Sequence, residues 1–576
     1  MKELFFIGAS CLILTACAQP SANLEGEGVT IYPANIITVN EANPVASAVA
    51  VKDGMIVSVG EIDTLKGELG GAIIDDRFAS KTLIPGLIDS HVHIALGAMM
   101  YNASMVPPWD VPMPDGKVEG ANNKAEFLSR ASDIIAASEG EAPVIIYGYH
   151  NLIHGDLVRQ DIDAISGDKP VVIWHYSGHD FYFNSLAIEQ AKLTPALVQK
   201  FHGVDLDATG QLTGRIYEDA ALVAYGYLAP HLTNPQALAR GYGRFETLIN
   251  KAGVTTIAEL GYGIFGFPLE DGLHKAFYTP DDSYRLYLVP EHRAFDAAYG
   301  QGAIDNMQSR LTDSTVIGTP KVLPQVKLFT DAAFYSQTMK LAAPGYTGGQ
   351  SAGTDGLWVM GPEEKLAAIM SPYIEAGYDL HVHSNGDAAQ SATLAAWTGL
   401  SEARVADNPR MVIEHAGLIR PEHFDLAKGE NIGLSAASHY VYYMGQNYEE
   451  AIGERVKYIT PLASASAAGL PTTLHSDAPL APPAPLLAAS VHMSRATRQG
   501  GTSTPSERLS AAQALRAVTL DAAWSLGLED ELGSIEIRKR ADFTVLEQNP
   551  LETEGDKWPD IDVWGVIIDG QIRPNN

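Results

Sequence analysis

The sequence predicts an α/β fold, a TIM (β/α)8 barrel with a small β domain made from both chain ends. Three observations support this prediction. Eight short β-type runs recur along the chain, and the segments between most of them are long enough to hold a helix. Polar residues stand at the carboxyl ends of five of these runs, where TIM barrels place catalytic residues. Further β-type runs near both chain ends lie outside this alternation.

The eight predicted barrel strands begin with an apolar stretch that ends in two histidines. Because the chain has 576 residues, of which 46% are hydrophobic and 19% charged, we expect two or three domains and a large core. The predicted strands are 83–93, 253–260, 285–289, 325–329, 379–383, 411–415, 432–436 and 472–477.

The β-type runs outside the barrel pattern lie near both termini. The Lys-Asp-Gly sequence at 52–54 is a hairpin signal between the runs 48–51 and 55–59. Near the carboxyl end, the runs 542–546 and 563–568 have the same apolar and β-branched character. These runs predict a small β domain to which both ends contribute.

Residues 1–16 resemble a bacterial lipoprotein signal peptide. The run 4–14 is apolar but too short to span a bilayer, and the sequence Leu-Thr-Ala-Cys that ends at Cys17 resembles a lipobox. This resemblance implies cleavage before Cys17, a lipid on its sulfur, and export to the cell envelope. Ala18 in place of aspartate indicates the outer membrane of a Gram-negative cell, facing the periplasm. The polar residues 17–28 would form a tether, and the alternative is an ordinary signal peptide with an incidental cysteine.

The charge and the cysteine content exclude several classes of function. A formal net charge of −30 argues against nucleic acid or an anionic membrane surface as a partner, since both need basic patches. The lipid anchor is therefore the only membrane contact that we expect. Cys11 and Cys17 are the only cysteines, so a chain without its leader has neither a disulfide nor a thiolate metal site. Any metal must be held by histidine, carboxylate or a modified side chain.

The pair His91 and His93 closes the first predicted barrel strand. Side chains two residues apart on a strand point the same way, so both imidazoles can face one metal ion while Val92 packs on the other side. Imidazole suits zinc. On the pair alone, two satisfied core histidines are an equal alternative.

Residues 85–93, Pro-Gly-Leu-Ile-Asp-Ser-His-Val-His, resemble the first-strand signature of the amidohydrolase superfamily. Later motifs, among them His-x-x-Gly-Asp at 383–387, narrow the resemblance to the family 3 branch, which includes N-substituted formamide deformylases. It covers nearly the whole chain after the leader. It implies a divalent metal, with zinc expected as one or two ions, and a carboxylated Lys327 between two ions. The ligands that it implies are His91, His93, Lys327, His383, His415 and Asp477.

Several neighbours of these ligands are expected to play other parts. His381 and His475 each stand two residues before a ligand, and we interpret His381 as a second layer or core residue and His475 as core. Residues 329–332 read Phe-Thr-Asp-Ala where the family more often shows Asp-Gly, so the loop after Lys327 is expected to differ.

Three further residues are expected on the substrate side. Residues 178–185 resemble a family motif in an insertion that caps the barrel, which implies that His179 and Asn184 approach the substrate. The alternative is that the two side chains order a loop. His439, after the seventh strand, resembles a substrate-side residue of the family.

The resemblance also implies how the chain divides. In amidohydrolases both chain ends join in one β-sandwich beside the barrel. The family usually has glycine where Arg538 stands, so that turn is expected to differ. The predicted segments are 29–80 and 529–576 for the β-sandwich domain, 81–97 and 240–528 for the barrel, and 98–239 for the insertion.

The expected reaction is hydrolysis of an amide or cyclic amide C–N bond of a small molecule through a metal-activated water. Asp477 would take the proton from that water and pass it to the leaving nitrogen, and His439 or His179 would stabilise the oxyanion. One alternative is a lactonase or phosphotriesterase-like hydrolase that uses the same site. Another is a catalytically inactive lipoprotein that binds a metal or ligand, although a pure binder needs no proton carrier at Asp477.

Overall fold

The computed structural model describes residues 26–312, 316–401 and 408–575. The predicted signal peptide and the lipidation residue Cys17 lie outside the described residues. Among the described helices, none combines the length and the apolar character needed to cross a membrane.

The strands are distributed along the whole described chain. In chain order they are β1 (Thr30–Ile37), β2 (Val45–Lys52), β3 (Met55–Gly60), β4 (Ile73–Ile74), β5 (Thr82–Pro85), β6 (Leu87–Val92), β7 (Ser104–Met105), β8 (Val111–Met113), β9 (Gly116–Val118), β10 (Val144–Tyr149), β11 (Val171–His175), β12 (Asp180–Phe183), β13 (Val204–Leu206), β14 (Leu212–Tyr217), β15 (Val254–Tyr262), β16 (Arg285–Pro290), β17 (Lys321–Val322), β18 (Gln325–Phe329), β19 (Asp379–Ser384), β20 (Met411–His415), β21 (Ile432–Ala437), β22 (Thr472–His475), β23 (Phe543–Leu546), β24 (Val563–Ile568) and β25 (Gln571–Pro574).

The α-helices lie between and after these strands. They span Ile62–Glu68, Ile94–Met100, Lys124–Ala137, Asn151–His154, Arg159–Ser166, Ser185–Gln190, Ala221–Leu232, Pro235–Lys251, Phe267–Phe277, His292–Tyr299, Ala303–Arg310, Glu363–Glu375, Asp387–Gly399, Pro421–Ala427, Asn447–Ile452, Leu462–Ala467, Pro485–Ser494, Ala511–Ala517 and Leu520–Ser525.

Two parallel sheets hold the eight strands that the sequence predicts for the barrel. The first sheet has the order β17-β16-β15-β6, and the second runs β18-β19-β20-β21-β22. Neighbouring strands in both sheets pair in parallel. Single parallel bridges link the sheets on two sides, Val92 with Ala478 and Glu291 with Lys327. Each of the eight predicted runs contains one of these strands, and β17 is a short addition.

The first predicted run differs from the structure in one respect. The run 83–93 is divided into β5, which pairs with β1 and β23, and β6, which pairs with β15. Gly86 lies between them, and a Cβ atom there would stand 2.0 Å from Oγ1 of Thr255. Only glycine fits this close approach, which lets the chain pass from one sheet directly into the other.

Both chain ends join in one eight-stranded sheet of order β25-β24-β23-β5-β1-β2-β3, with β4 paired to β1. Asp53 and Gly54 form the predicted hairpin with φ of 50° and 77°, the left-handed pair that a two-residue hairpin loop requires. Arg538 also has a positive φ, of 78°. This is a left-handed conformation, which glycine adopts more readily than arginine.

A buried ion pair ties this sheet to the barrel strands. Arg285 of β16 donates from Nε to Asp542 over 2.6 Å and from Nη2 to Asp569 over 2.6 Å. Thr544 Oγ1 donates to the carbonyl of Gly253 over 2.7 Å. These contacts fix β16 and the start of β15, and β15 in turn pairs with β6, which leads to the first histidine pair.

The region between β6 and β15 has its own six-stranded sheet, of order β13-β14-β12-β11-β10-β7. The helix Lys124–Ala137 packs in this region, and Asn123 caps it by accepting a hydrogen bond from the Glu126 amide.

Candidate metal centre

His91 and His93 leave the end of β6 on the same side, as the alternation of a strand requires. Nε2 of His91 lies 3.6 Å from Oδ1 of Asp477, and Nε2 of His93 lies 3.3 Å from the same oxygen. Val92 between them is fully buried. The two imidazoles and the carboxylate therefore converge on one point.

A carboxylate holds the other nitrogen of each imidazole. Nδ1 of His91 is 2.7 Å from Oε2 of Glu414, and Nδ1 of His93 is 2.9 Å from Oε1 of Glu259. When Nδ1 contacts the carboxylate, Nε2 is the ring nitrogen that faces Asp477. This pattern of imidazole and carboxylate is the usual support of a metal-bound histidine.

Asp477 follows β22 in a left-handed conformation, with φ of 55°. Burial opposes ionisation, but the hydrogen bond from His93 and the charges of His91 and His93 hold the pKa of Asp477 well below its usual range. The carboxylate is therefore ionised. Asp89 fixes this turn, because it accepts hydrogen bonds from the amide and hydroxyl of Ser476 over 3.0 and 2.5 Å.

The buried side chain of Lys327, on β18, reaches His91. Its Nζ is 3.4 Å from Nε2 of His91. Burial lowers the pKa of Lys327 to about 8, although Glu414 and Asp477 act in the opposite sense. Part of the amine is thus neutral near pH 7, which is the form that can react with carbon dioxide.

The remaining predicted ligands are brought to the same end of the strands. Nδ1 of His415 lies 3.7 Å from Oδ2 of Asp477, and φ at His415 is 70°. The His383 ring centroid is 4.5 Å from that of His415. Nε2 of His383 is 3.2 Å from the carbonyl of Ala332 and 3.0 Å from Nδ2 of Asn385, so this nitrogen is occupied.

The donor groups fit a divalent ion. Among the described residues, two sets of three donors have ligand atoms within 4.8 Å of one another: His91, His93 and Asp477 form the first, and His91, His415 and His475 the second. Imidazole nitrogen with one carboxylate oxygen suits zinc. Lys327 and His383 adjoin these sets without belonging to either.

The interpretation of His475 as a core residue misses its contact with His415, a predicted metal ligand. Its Nε2 is 3.2 Å from Nδ1 of His415 and its Nδ1 is 2.7 Å from the hydroxyl of Ser435. His381 matches its expected second-layer place, because its Nδ1 is 2.7 Å from Oε1 of Glu414.

Sequence reasoning missed the supporting carboxylates Glu259, Glu414, Asp89 and Asp331. Asp331 accepts hydrogen bonds from the amides of Asn385, Gly386 and Lys340 over 2.8–2.9 Å and so holds the turn after His383. A signal existed for Glu259, because it is a charge inside an apolar strand, like Lys327.

The two residues predicted from the 178–185 motif have different roles. His179 Nδ1 lies 3.2 Å from Oε2 of Glu218. Burial opposes protonation, but the charge and hydrogen bond of Glu218, with smaller effects of Asp180 and Asp477, raise the pKa of His179. The raised pKa favours the protonated ring, which is compatible with the expected substrate role.

The structure does not support Asn184 as a substrate residue. Its Oδ1 accepts hydrogen bonds from the amides of Val171 and Ala187, each over 2.9 Å. Its Nδ2 donates to the hydroxyl of Ser166 and the carbonyl of Lys169. The amide group is therefore fully used in capping a helix and fixing β11, which is the loop-ordering alternative.

His439 begins a π-helical turn at Tyr440–Met444 and lines a cavity of about 350 Å³. Among the described residues, neither ring nitrogen has a hydrogen-bond partner. Burial lowers the pKa of His439 to about 3, so the ring is neutral. A neutral imidazole without a partner can donate to, or accept from, a bound molecule.

Similarity to known proteins agrees with this geometry. A family model described as "Amidohydrolase family" (Amidohydro_3) matches residues 79–574. Protein LONG AFTER FAR-RED 3 of Arabidopsis thaliana is 26% identical over 523 residues, which are 89% of this chain and 86% of that protein. N-substituted formamide deformylase of Arthrobacter pascens is 23% identical over 553 residues, with 94% and 97% of the two chains covered.

A solved structure with a similar fold is an uncharacterized metal-dependent hydrolase from Pyrococcus horikoshii OT3. The TM-score is 0.68 at 21% identity, and the match covers 92% of this chain and 99% of that one. At this identity the likeness bears on the fold.

Proposed function

The chain belongs to the amidohydrolase family, and from this premise we propose that it cleaves an amide or cyclic amide bond of a small molecule, with Asp477 as the proton carrier. It is a metal-dependent hydrolase that acts on carbon–nitrogen bonds other than peptide bonds. The observation that carries the proposal is the convergence of His91, His93 and Asp477, with carboxylates on the outer nitrogens of both rings.

In the proposed centre, His91, His93, His415 and Asp477 hold the metal, with Lys327 and His383 completing the site. A divalent ion bound there lowers the pKa of water and polarises a carbonyl. The buried carboxylate of Asp477 accepts the proton of the attacking water and returns it to the leaving nitrogen, which would otherwise leave poorly.

His439 and His179 serve the substrate in this proposal. The neutral ring of His439 donates a hydrogen bond to the oxygen on which negative charge develops, without losing its proton. His179, whose charge is maintained by Glu218, adds positive potential on the side of the insertion.

Lys327 is proposed to be carboxylated. Its amine is buried, its pKa is lowered to about 8, and its Nζ is directed at His91. A carbamate at that position would replace a cation by an anionic oxygen ligand, which suits a second divalent ion better.

The architecture that we propose is a closed (β/α)8 barrel with a β-sandwich beside it. The two parallel sheets and the bridges Val92–Ala478 and Glu291–Lys327 support closure. The sheet of both chain ends supports the second domain, since it buries apolar residues on both of its faces, with Ile31 and Ala50 in one cluster and Tyr32 and Val49 in another.

The test is a substrate panel on protein stripped with a chelator and reloaded with zinc. N-formyl and N-acyl amides, cyclic amides, lactones and phosphotriesters are compared at equal concentration. We expect amide hydrolysis that disappears on chelation and returns with zinc. Turnover of lactones or phosphotriesters alone, or amide turnover that survives complete metal removal, would contradict the proposal.

A further inference from the structure

The cavity beside His439 lies where β21 and β22 end. Trp109, Asp110 and Asn122 of the inserted region line one side, and Leu487 and Val491 of the helix Pro485–Ser494 line another. Its volume of about 350 Å³ falls within the range of small-molecule sites.

The cavity adjoins the metal centre through two connections of the chain. Ser438 and His439 line it, and the Ser438 hydroxyl donates to the carbonyl of His475 over 3.2 Å. Ala481 and Pro482, which also line it, follow Asp477 by four and five residues. A molecule that fills the cavity therefore has one end near the proposed reacting bond.

The walls are mainly aromatic and apolar. Trp109 and Tyr443 stack with ring centroids 4.0 Å apart, and Tyr442 lies beside them. Such walls favour a flat or aliphatic body, since they offer apolar and aromatic area to bury.

Arg498 is the one arginine or lysine of the described chain that lines this cavity. No carboxylate of the described residues lies within ion-pair distance of it, and its buried Nε has no hydrogen-bond partner there. Two other arginines, which are fully buried, have the partners that Arg498 lacks. Arg285 pairs with Asp542, and Arg495 donates to the carbonyls of Ser503, Thr460 and Ile459.

The acidic residue of the cavity does not neutralise Arg498. Asp110 accepts from Lys117 Nζ over 2.5 Å and from the Gly120 amide over 3.0 Å. These contacts compensate the charge of Asp110 and leave the guanidinium of Arg498 as the uncompensated charge of the wall.

The position of Arg498 is fixed by its surroundings. Its amide donates to the carbonyl of Tyr442 over 2.8 Å, and a bridge between Ala496 and Thr502 closes its loop. Arg495 anchors the start of the loop through its buried guanidinium. These contacts fix the backbone from which the guanidinium extends, so only the side chain has to be ordered on binding.

We propose that the substrates are amides with an apolar or aromatic body and a carboxylate, and that Arg498 binds this carboxylate. This inference rests on the proposed function and specifies its substrate class. Arginine matches a carboxylate in geometry and charge. In a chain of net charge −30, a local cation is needed to offset the repulsion of an anionic substrate.

Two matched pairs of compounds test the inference on the zinc-loaded protein. Turnover is compared for N-formylphenylalanine and N-formylphenylalaninamide, and binding is measured by calorimetry for 3-phenylpropanoate and 3-phenylpropanamide. Each pair differs by the carboxylate. The variants are Arg498→Gln, Arg498→Lys, and Arg508→Gln as a control that removes the same charge from an exposed arginine hydrogen-bonded to the Ser494 carbonyl outside the cavity.

We expect Arg498→Gln to lower kcat/KM for N-formylphenylalanine about 10–100-fold, mainly through KM, and to lower the affinity for 3-phenylpropanoate about 10–100-fold. The values for the two compounds without a carboxylate, N-formylphenylalaninamide and 3-phenylpropanamide, should not change. Arg498→Lys should retain part of the preference, and Arg508→Gln all of it. An equal loss of kcat/KM and affinity for the compounds with and without a carboxylate, or no loss for either group, would overturn the inference.

The experiment distinguishes a failure of the proposed carboxylate site from a failure of the proposed hydrolase reaction. If the wild-type protein hydrolyses both N-formyl compounds equally and Arg498→Gln changes neither, the hydrolase proposal stands and the carboxylate site is wrong. If neither compound is cleaved but 3-phenylpropanoate binds in a manner that depends on Arg498, the anion site stands and the proposed reaction is wrong.

Discussion

At the scale of single residues, the metal centre depends on how the histidines are held. Glu414 and Glu259 each accept a hydrogen bond from the Nδ1 of one histidine, which fixes the ring and directs Nε2 at Asp477. Glu259 also accepts from the Ile94 amide over 2.6 Å, so its carboxylate is held on two sides.

We predict that Glu259→Gln weakens zinc binding about 10–100-fold without unfolding the protein. A glutamine has one oxygen, so it can accept from Nδ1 of His93 or from the Ile94 amide but not from both, and a neutral acceptor makes the imidazole a poorer ligand. Zinc affinity is measured by competition with a chromophoric chelator. Glu507→Gln is the control, because Glu507 is a buried carboxylate that also accepts two hydrogen bonds, in its case from Ser464, 43 residues earlier in the chain. Equal affinity in wild type and Glu259→Gln would contradict this role.

The pKa of His93 gives a prediction for pH. Burial would lower it, but Asp477 and Glu259 raise the pKa of His93 to about 9 in the metal-free protein. Below that pH a proton occupies the ring, and zinc must displace it. Zinc affinity should therefore rise about tenfold per unit from pH 6.5 to about 8.5 and level off above 9. Titrations with zinc at several pH values measure this, and an affinity that is constant between pH 6.5 and 8 would refute it.

The sequence identifies those site residues that stand in a motif or at the end of a strand, but it cannot identify a role that depends on the partners of a side chain in the fold. The predicted ligands stand at strand ends and in motifs, and the structure brings His91, His93, His415 and Asp477 close together. The expectation for Asn184 fails because the same amide can bind a substrate or cap a helix. Only the fold shows that its partners are the backbone amides of Val171 and Ala187.

At the scale of elements, the alternation of apolar runs locates the eight strands of the two parallel sheets that were predicted for the barrel. It cannot show that the run 83–93 is two strands, because both are fully buried and they differ in their pairing partners. Gly86 marks the division. Its special requirement comes from Thr255 of a strand 169 residues further on, a contact that no local pattern contains.

We predict that Gly86→Ala destabilises the protein by about 1–3 kcal/mol, because the new methyl group would overlap the buried side chain of Thr255. Gly67→Ala is the matched control. Gly67 lies in the helix Ile62–Glu68, and a methyl group added there would meet no atom within 4 Å, so alanine should stabilise the protein by about 0.5–1 kcal/mol. Denaturant unfolding measures both. Similar stabilities for the two variants would show that the close approach at Gly86 is relieved easily.

At the scale of the whole molecule, the region between β6 and β15 encloses the cavity together with the segments that follow β21 and β22. The sequence indicates an insertion that caps the barrel, but it does not indicate the cavity, because Trp109, Tyr443 and Arg498 are far apart in the chain and belong to no shared motif.

The cellular location is also a property of the whole chain, and we propose a lipid anchor at Cys17. We predict that Cys17→Ser moves the protein from the membrane fraction to the soluble envelope fraction, since the thiol is the only attachment site for lipid in the lipobox. Cys11→Ser, within the same leader, is the control and should leave the distribution unchanged. A Cys17→Ser protein that still sediments with membranes would exclude this anchor.

The central claim is that Asp477 carries the proton, and the most direct measurement is single-turnover hydrolysis of an unactivated amide by Asp477→Asn with its zinc content determined in the same sample. Asparagine keeps the shape but cannot accept the proton. We expect metal to be retained, at least in part, and kcat per bound metal to fall about 10²–10⁴-fold, with a smaller loss for an activated ester whose leaving group needs no proton. Near wild-type kcat on the amide with zinc bound would contradict the account.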